Sequence, residues 1–302
     1  VVTVTSPRGG ASNVGLFEQH RRRLFGIAYG MLGTVMDAED VVQDTWLKWS
    51  DVDPATVDSP VAFLTTITTR LAINQLQSAR RRRETYVGPW LPEPLVGALD
   101  ADPADSAVVA EDMSLAMLVA LDRLNPVERA VLLLRDVFDL DYAEIADVVD
   151  KSPANCRQIA SRARKHLDRK PFPNPSDPGT ETRLLSEYMD AISAGDVDAV
   201  AKIFAEDVGL WSDGGGLVRA ARHPLSGAAR VARFLVGVSS QTPAGSTVAL
   251  ARANGDPALV GIQDGRCIGV LAFEIREGMV VGIRAVLNPE KLSRIDVARL
   301  AP

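Results

Sequence analysis

The chain has 302 residues, with 33 Lys+Arg against 39 Asp+Glu for a formal net charge of -6, and is 46% hydrophobic and 24% charged. These are ordinary globular proportions, so a disordered or fibrous chain is excluded, and at roughly 150 residues per domain the length predicts two or three domains. Taken alone, the acidity argues against a nucleic-acid partner. Cys156 and Cys267 are far apart and fit neither a disulfide framework nor zinc spacing, and His20, His166 and His223 stand alone, so no metal site is expected. The start, Val1-Val2-Thr3-Val4 into Ser6-Pro7-Arg8-Gly9-Gly10, has no signal-peptide pattern. The longest uncharged run, Phe234 to Ala251, holds Ser239-Ser240-Gln241-Thr242-Pro243 and cannot span a bilayer. A soluble protein of a reducing, cytoplasmic compartment is expected.

The first module, residues 14–83, is read as all helix. Leu16, Phe17, His20, Leu24, Ile27, Ala28, Met31 and Leu32 recur at helical spacing, and Gly33 with Asp37 marks a break and a new N-terminus. From Asp37 onward, Ala38, Val41, Val42, Thr45, Trp46 and Trp49 form one apolar stripe, with Glu39, Asp40, Gln43, Asp44 and Lys48 opposite. Ser59 as N-cap and Pro60 in the first turn start a long helix that ends in Arg80-Arg81-Arg82-Arg83.

Residues 84–110 form an acidic linker in which Pro89, Pro92 and Pro94 forbid a helix and favour an extended path. Tyr86, Trp90, Leu91 and Leu95 are more than a plain linker needs, so it is expected to lie on a surface.

The second module, residues 111–170, is helical again. A short helix from Asp141 with small Ala143 and Ala146 precedes Ser152-Pro153, a sharp start for a second helix. In that helix Ile159, Ala163 and Leu167 face the core, while Asn155, Arg157, Gln158, Ser161, Arg162 and Lys165 lie elsewhere. This is a helix-turn-helix plan, whose second helix offers its N-terminal residues to the major groove.

After a linker at 171–179, the third module, residues 180–302, begins with two helices, the first ended by Gly195. It continues with strands at Val208–Trp211, Val248–Ala253, Ala258–Ile262, Cys267–Ile275 and Met279–Leu287, with a helix around Ala228–Val238. Helices followed by an antiparallel meander predict an α+β layer with a concave pocket.

Resolved by segment, the charge changes meaning. Residues 1–83 carry 10 basic and 8 acidic side chains, 84–150 carry 3 and 15, 151–170 carry 7 and 1, and 171–302 carry 13 and 15. Two basic footprints flank an acidic connector, which suits phosphate contacts at two places and repulsion of DNA between them.

The two helical modules resemble an extracytoplasmic-function sigma factor. The first is similar to sigma region 2 through Leu24-Phe25-Gly26-Ile27-Ala28-Tyr29, Asp37 to Trp46, Pro60-Val61-Ala62-Phe63-Leu64 and Arg70-Leu71-Ala72-Ile73-Asn74. The second is similar to region 4 through Leu124-Asn125-Pro126-Val127-Glu128-Arg129 and the helix-turn-helix. Tyr86 to Pro94, Trp211-Ser212-Asp213-Gly214-Gly215-Gly216 and Asn288-Pro289-Glu290-Lys291-Leu292 resemble the subgroup with a fused SnoaL-like domain, the sigma-J type. This chain departs from the family at Leu217, where Lys is frequent, at Asp150, where Gly is usual, and at Cys156, where Val is common.

The resemblance implies a multidomain chain: an all-α region 2 bundle, an all-α region 4 helix-turn-helix, and an α+β SnoaL-like cone with a curved antiparallel sheet. It implies an alternative sigma factor, not an enzyme and without cofactor, that binds core RNA polymerase at the β′ clamp helices and the β flap. Asp40, Gln43, Asp44, Leu47 and Lys48 would meet the polymerase. Arg70, Asn74 and Arg80 to Arg83 would serve the promoter -10 element, and Ser152, Asn155, Arg157, Gln158, Ser161, Arg162 and Lys165 the -35 element. Tyr86, Trp90, Leu91, Pro92, Asp213, Gly214, Gly215, Gly216, Asn288, Pro289, Lys291 and Leu292 would form the regulatory contacts of linker and C-terminal domain. The third module would act in cis, binding a small molecule or nothing, in a chain that is monomeric when free and has no membrane partner. Two alternatives remain: a helix-turn-helix regulator that never joins polymerase, and a SnoaL-like cyclase or isomerase with a DNA-binding appendage, using Asp213 and His223 as acid and base.

Overall fold

The computed structural model describes residues 10–98, 113–167 and 177–300, the side chains of residues 10–12, 80–82 and 84 excepted. In chain order its elements are α1 (Gly10–Leu32), α2 (Val35–Ser50), α3 (Pro60–Glu84), β1 (Val96–Ala98), α4 (Leu115–Leu121), α5 (Pro126–Asp136), α6 (Tyr142–Val149) and α7 (Pro153–His166). They continue as α8 (Pro178–Ala194), α9 (Val197–Ile203), β2 (Phe204–Asp213), β3 (Leu225–Ser226), α10 (Ala228–Ser239), β4 (Thr247–Ala253), β5 (Asp256–Gln263), β6 (Arg266–Arg276), β7 (Met279–Val286) and α11 (Pro289–Leu292). The described residues divide into two compact units, 10–82 with 121–167, and 83–98 with 113–120 and 177–300.

The first unit is helical. Gly33, at φ 76°, ends α1, and the cap of α2 is Thr34 rather than the expected Asp37. The Thr34 hydroxyl accepts the Asp37 N–H and donates to the Asp37 carboxylate at 2.7 Å, which draws Asp37 inside the first turn. Val42 and Trp49 of the predicted stripe pack with Phe17, Leu24 and Leu64. The Trp49 indole N–H donates to the Asn13 carbonyl at 2.9 Å, as a buried indole requires. Ser59 caps α3 ahead of Pro60, as the sequence predicts.

Reciprocal capping boxes, Asn125 with Glu128 and Asp141 with Glu144, start α5 and α6. The helix-turn-helix is α6, a turn through Asp150 in the left-handed region (φ 53°), and α7 capped by Ser152. Cys156, Ile159, Ala160 and Ala163 fill the buried face of α7.

The second unit is an α+β layer. Its seven-stranded sheet runs β1-β4-β5-β6-β7-β2-β3 among the described residues. The sequence predicts a wholly antiparallel sheet; the observed one is mixed, because β2 lies parallel to β7. The reason is topological: β2 and β7 are joined through α10 and the meander β4 to β7, a crossover that can bring the two strands together in the same direction. The meander itself is as read from sequence. Its turns, Asn254-Gly255, Asp264-Gly265 and Glu277-Gly278, all have positive φ at both positions, the geometry that matches strand twist in tight hairpins. Leu184, Leu185 and Tyr188 of α8, Val200 and Ile203 of α9, and Val231 and Leu235 of α10 pack on Leu210, Leu259, Phe273 and Ile283. Alanines 249, 251, 253, 258 and 272 are buried as well, although they alternate with residues of that core face. The sheet therefore buries residues on both faces, large side chains on one and alanines on the other.

Strand β1 has no counterpart in the sequence reading. Val96-Gly97-Ala98 of the acidic linker pairs antiparallel with Ala251 to Ala253 at the sheet edge. Asn254 fastens it: the side-chain oxygen accepts the Leu95 N–H at 3.0 Å, and the side-chain amide donates to the Met113 carbonyl at 3.0 Å. A three-residue strand with a central glycine has no readable alternation, so only the partner edge reveals it. The linker does lie on a surface, and it completes the sheet it lies on.

Candidate functional site

In the first unit the residues expected to meet polymerase, Asp40, Gln43, Asp44, Leu47 and Lys48, are all exposed on α2 opposite its buried stripe. On α3, Asn74 is exposed, whereas Arg70 is engaged: its guanidinium donates to the Val148 carbonyl at 2.9 Å and the Asp147 carbonyl at 2.8 Å. Those carbonyls end α6, where free C=O groups favour a cation. Arg70 thus ties the long region 2-like helix to the helix-turn-helix. Arg129, fully buried on α5, makes a second long-range tie, to α1, donating to the Gly30 carbonyl at 3.0 Å, and it pairs with Asp122 at 3.2 Å. A motif match in one chain segment gives no sign of either long-range contact. The side chains of Arg80, Arg81 and Arg82 lie outside the described residues; Arg83 stacks over the Trp90 ring at 3.5 Å.

On α7, Ser152, Arg157, Gln158, Ser161, Arg162 and Lys165 are exposed and Asn155 is partly so. The helix is seated by an ion pair from Arg164 to Asp136 of α5, and the Asp136 hydrogen bond pushes the Arg164 pKa further up. Arg157 lies 5.4 Å from the Tyr142 ring centroid, a cation–π contact that steadies the guanidinium without hiding it. The outcome is a rigid helix with a row of donors and cations facing outward.

The second unit brings the linker and C-terminal motifs to one carboxylate. Asp213, at the end of β2, is fully buried and receives four donors. One oxygen accepts the Tyr86 hydroxyl at 2.6 Å and the Gly215 N–H at 3.0 Å; the other accepts the Leu91 N–H at 2.8 Å and the Lys291 ammonium at 2.7 Å. Lys291 also donates to the Leu91 carbonyl, and it lies 4.6 Å from the Trp90 centroid and 5.0 Å from that of Tyr86. Asn288 caps α11 and donates to the Tyr86 hydroxyl at 2.8 Å. Burial lowers the Lys291 pKa against the pull of Asp213, and burial followed by the Asp213 contact raises that of Tyr86.

The glycines serve this arrangement. Gly215 has φ 61°, and a Cβ there would sit 2.4 Å from the Asn288 amide nitrogen; Gly216 has φ 75° and its Cβ would press on Val87. Pro92 and Leu292 are buried beside the site. Pro289 takes the first position of α11, where its lack of an N–H costs nothing. With both oxygens committed, Asp213 has no free position for acid–base work, and His223 is exposed; the two do not form the acid–base pair that the enzyme alternative requires. Among the described residues no cluster could hold a metal ion, and no helix is long and apolar enough to cross a membrane.

Known proteins carry the same parts. Residues 16–82 match the family model of Sigma-70 region 2, and residues 114–167 that of Sigma-70, region 4. The ECF RNA polymerase sigma factor SigJ of Mycobacterium tuberculosis is 38% identical over 288 residues, covering 92% of this chain and 92% of that protein. The probable ECF RNA polymerase sigma factor SigI of the same species is 29% identical over 277 residues, covering 90% of this chain and 92% of the relative. The crystal structure of Mycobacterium tuberculosis SigJ superposes with a TM-score of 0.74 at 35% identity, covering 93% of this chain and 98% of that one.

Proposed function

The chain belongs to the extracytoplasmic-function family of RNA polymerase sigma factors, and we propose that its C-terminal unit governs initiation in cis by holding the linker between the two promoter-reading modules. One observation carries this reading: Tyr86 and Leu91 of the linker share the buried Asp213 carboxylate with Lys291. A sigma factor must set its two DNA-reading modules at the spacing of two promoter elements. A linker folded into the C-terminal sheet has little freedom to do so until it is released or repositioned.

In this reading the exposed α2 face (Asp40, Gln43, Asp44, Leu47 and Lys48) docks on the β′ clamp helices, where surface charges mainly set orientation and rate. The helix-turn-helix engages the β flap and places Asn155, Arg157, Gln158, Ser161, Arg162 and Lys165 in the major groove at the -35 element, with Ser152 capping the helix toward a phosphate. Arg70 and Asn74 serve the -10 element, where opening DNA means holding a base out of its stack at a cost of a few kcal/mol. Arg70 must first leave the carbonyls of Asp147 and Val148, so the contact holds the free protein in a state that does not read the -10 element. The factor works where polymerase works, in the cytoplasm.

The test is transcription from a linear promoter with purified core polymerase and this protein as the sole sigma factor. A transcript is expected; bound duplex without a transcript would select the regulator that never joins polymerase. For control by the C-terminal unit, Lys291→Met and Tyr86→Phe should change the rate of promoter opening. Rates equal to wild type in both variants would refute it.

A further inference from the structure

The second unit segregates its charge in a way that the linker site does not use. Residues 171–302 hold 13 basic and 15 acidic side chains, yet from Gly214 to Gly255 there is no Asp or Glu. Five arginines fall in that stretch. Arg252 pairs with Glu181 at 2.8 Å, leaving Arg219, Arg222, Arg230 and Arg233. All four are exposed, as is His223 among them. Among the described residues none of the four makes an ion pair with a carboxylate. Glu206 and Asp207, on the neighbouring end of β2, are exposed and make none either.

The chain places these arginines on the two segments that flank the edge strand β3. Arg219 and Arg222 lie on the loop that leaves the glycine turn and enters β3, the outermost strand on that side of the sheet. Strand β3 pairs with Gly209 and Leu210, and the Gly227 N–H donates to the Val208 carbonyl, so α10 starts from the same edge. On α10, Val231, Ala232 and Leu235 are buried, which leaves Arg230 and Arg233, one helical turn apart, on the outward stripe. Unpaired arginines cost little in water and offer planar forks to phosphate oxygens.

We infer that this edge, Arg219, Arg222, Arg230 and Arg233, is a sequence-independent contact for the phosphate backbone of promoter DNA, supplied by the C-terminal unit. The inference rests on the sigma-factor reading but adds a DNA contact outside both promoter-reading modules. It also gives the C-terminal unit something to hold once the linker lets the modules spread: a module with no base-reading element can still fix register on a duplex through phosphates.

The test uses the full-length chain assembled with core polymerase, titrated onto a promoter duplex at a series of KCl concentrations. Replacing all four arginines by glutamine should flatten the plot of log affinity against log salt by about 0.9 for each phosphate that is no longer neutralised, up to about 3.6. The variant with lysine at all four positions should restore the slope and controls for folding. A glutamine variant with the wild-type slope would overturn the proposal. So would an unchanged slope with weaker core binding, which would assign the edge to an acidic protein surface. Either result, with promoter-dependent transcription retained, would leave the sigma-factor reading standing.

Discussion

The Asp213 site and the outward face of α7 are both built from polar side chains positioned by caps and glycines, yet they use them in opposite ways. Around Asp213 every strong donor closes on an acceptor within the same unit, and the carboxylate is fully buried. Along α7, Arg157, Gln158, Ser161, Arg162 and Lys165 are exposed, whereas Arg164 is tied back to Asp136 by an ion pair. Satisfied polar groups fix a conformation, whereas exposed ones on a rigid helix wait for another molecule. In the proposed function the first region acts on the chain itself and the second on DNA.

Breaking the inward region should cost most. Asp213→Asn leaves the Lys291 ammonium buried without its counter-charge, a loss expected near 3–5 kcal/mol because an orphaned buried charge is worse than no pair. Urea unfolding of the full chain should show it, and limited proteolysis should cut the linker near Tyr86 to Leu91 in the variant first. Asp213→Asn combined with Lys291→Met should recover part of the loss, since no charge is then stranded. Equal protease resistance in Asp213→Asn and wild type would mean that the linker is held by something other than this carboxylate.

The outward region should respond differently. Arg157→Ala should leave unfolding nearly unchanged, because the guanidinium is exposed. It should weaken promoter binding by about 1–3 kcal/mol and relax preference at one base pair if Arg157 reads a base edge. A uniform loss across sequences, with a shallower salt slope, would make it a phosphate contact instead.

The same contrast explains what could be read from the amino-acid order. The stripe from Ala38 to Trp49, the Ser59-Pro60 and Ser152-Pro153 starts and the tight meander turns depend on neighbours a few residues away, and the structure matches them. The parallel pairing of β2 with β7, the β1 edge strand and the Asn254 bridge depend on residues far apart in the chain, which periodicity cannot reach. The Asp213 site falls between these cases. Its glycine turn and the Asn288 to Leu292 motif stand out by resemblance, but only the fold shows four donors on one carboxylate. Arg70 stands out by its residue type; its two carbonyl acceptors are visible only where α3 and α6 come together.

Arg70 joins the two kinds of region, since an exposed cation expected to meet DNA is occupied within its own unit. Arg70→Ala removes two hydrogen bonds to backbone carbonyls and should lower stability by about 0.5–1.5 kcal/mol, a modest effect at a solvent-facing site. Hydrogen exchange should speed up at the end of α6 in the free protein. If Arg70 serves only as this tie, promoter opening will be at least as fast as in wild type; the role proposed for it at the -10 element predicts a slower opening.

The smallest effect is expected at the turn of the helix-turn-helix. Asp150 sits at φ 53°, ψ 58°, a left-handed conformation that an aspartate tolerates and a glycine adopts without strain. Its N–H caps α6 on the Ala146 carbonyl, and that bond is made by the backbone, so Asp150→Gly keeps it. Relief of strain then competes with the greater freedom of glycine in the unfolded chain, and the net gain should be a few tenths of a kcal/mol, about 1 at most. Loss of a negative charge beside a DNA-reading helix should also strengthen non-specific duplex binding slightly at low salt. A destabilised Asp150→Gly would show that the aspartate side chain, not the backbone conformation, holds the turn.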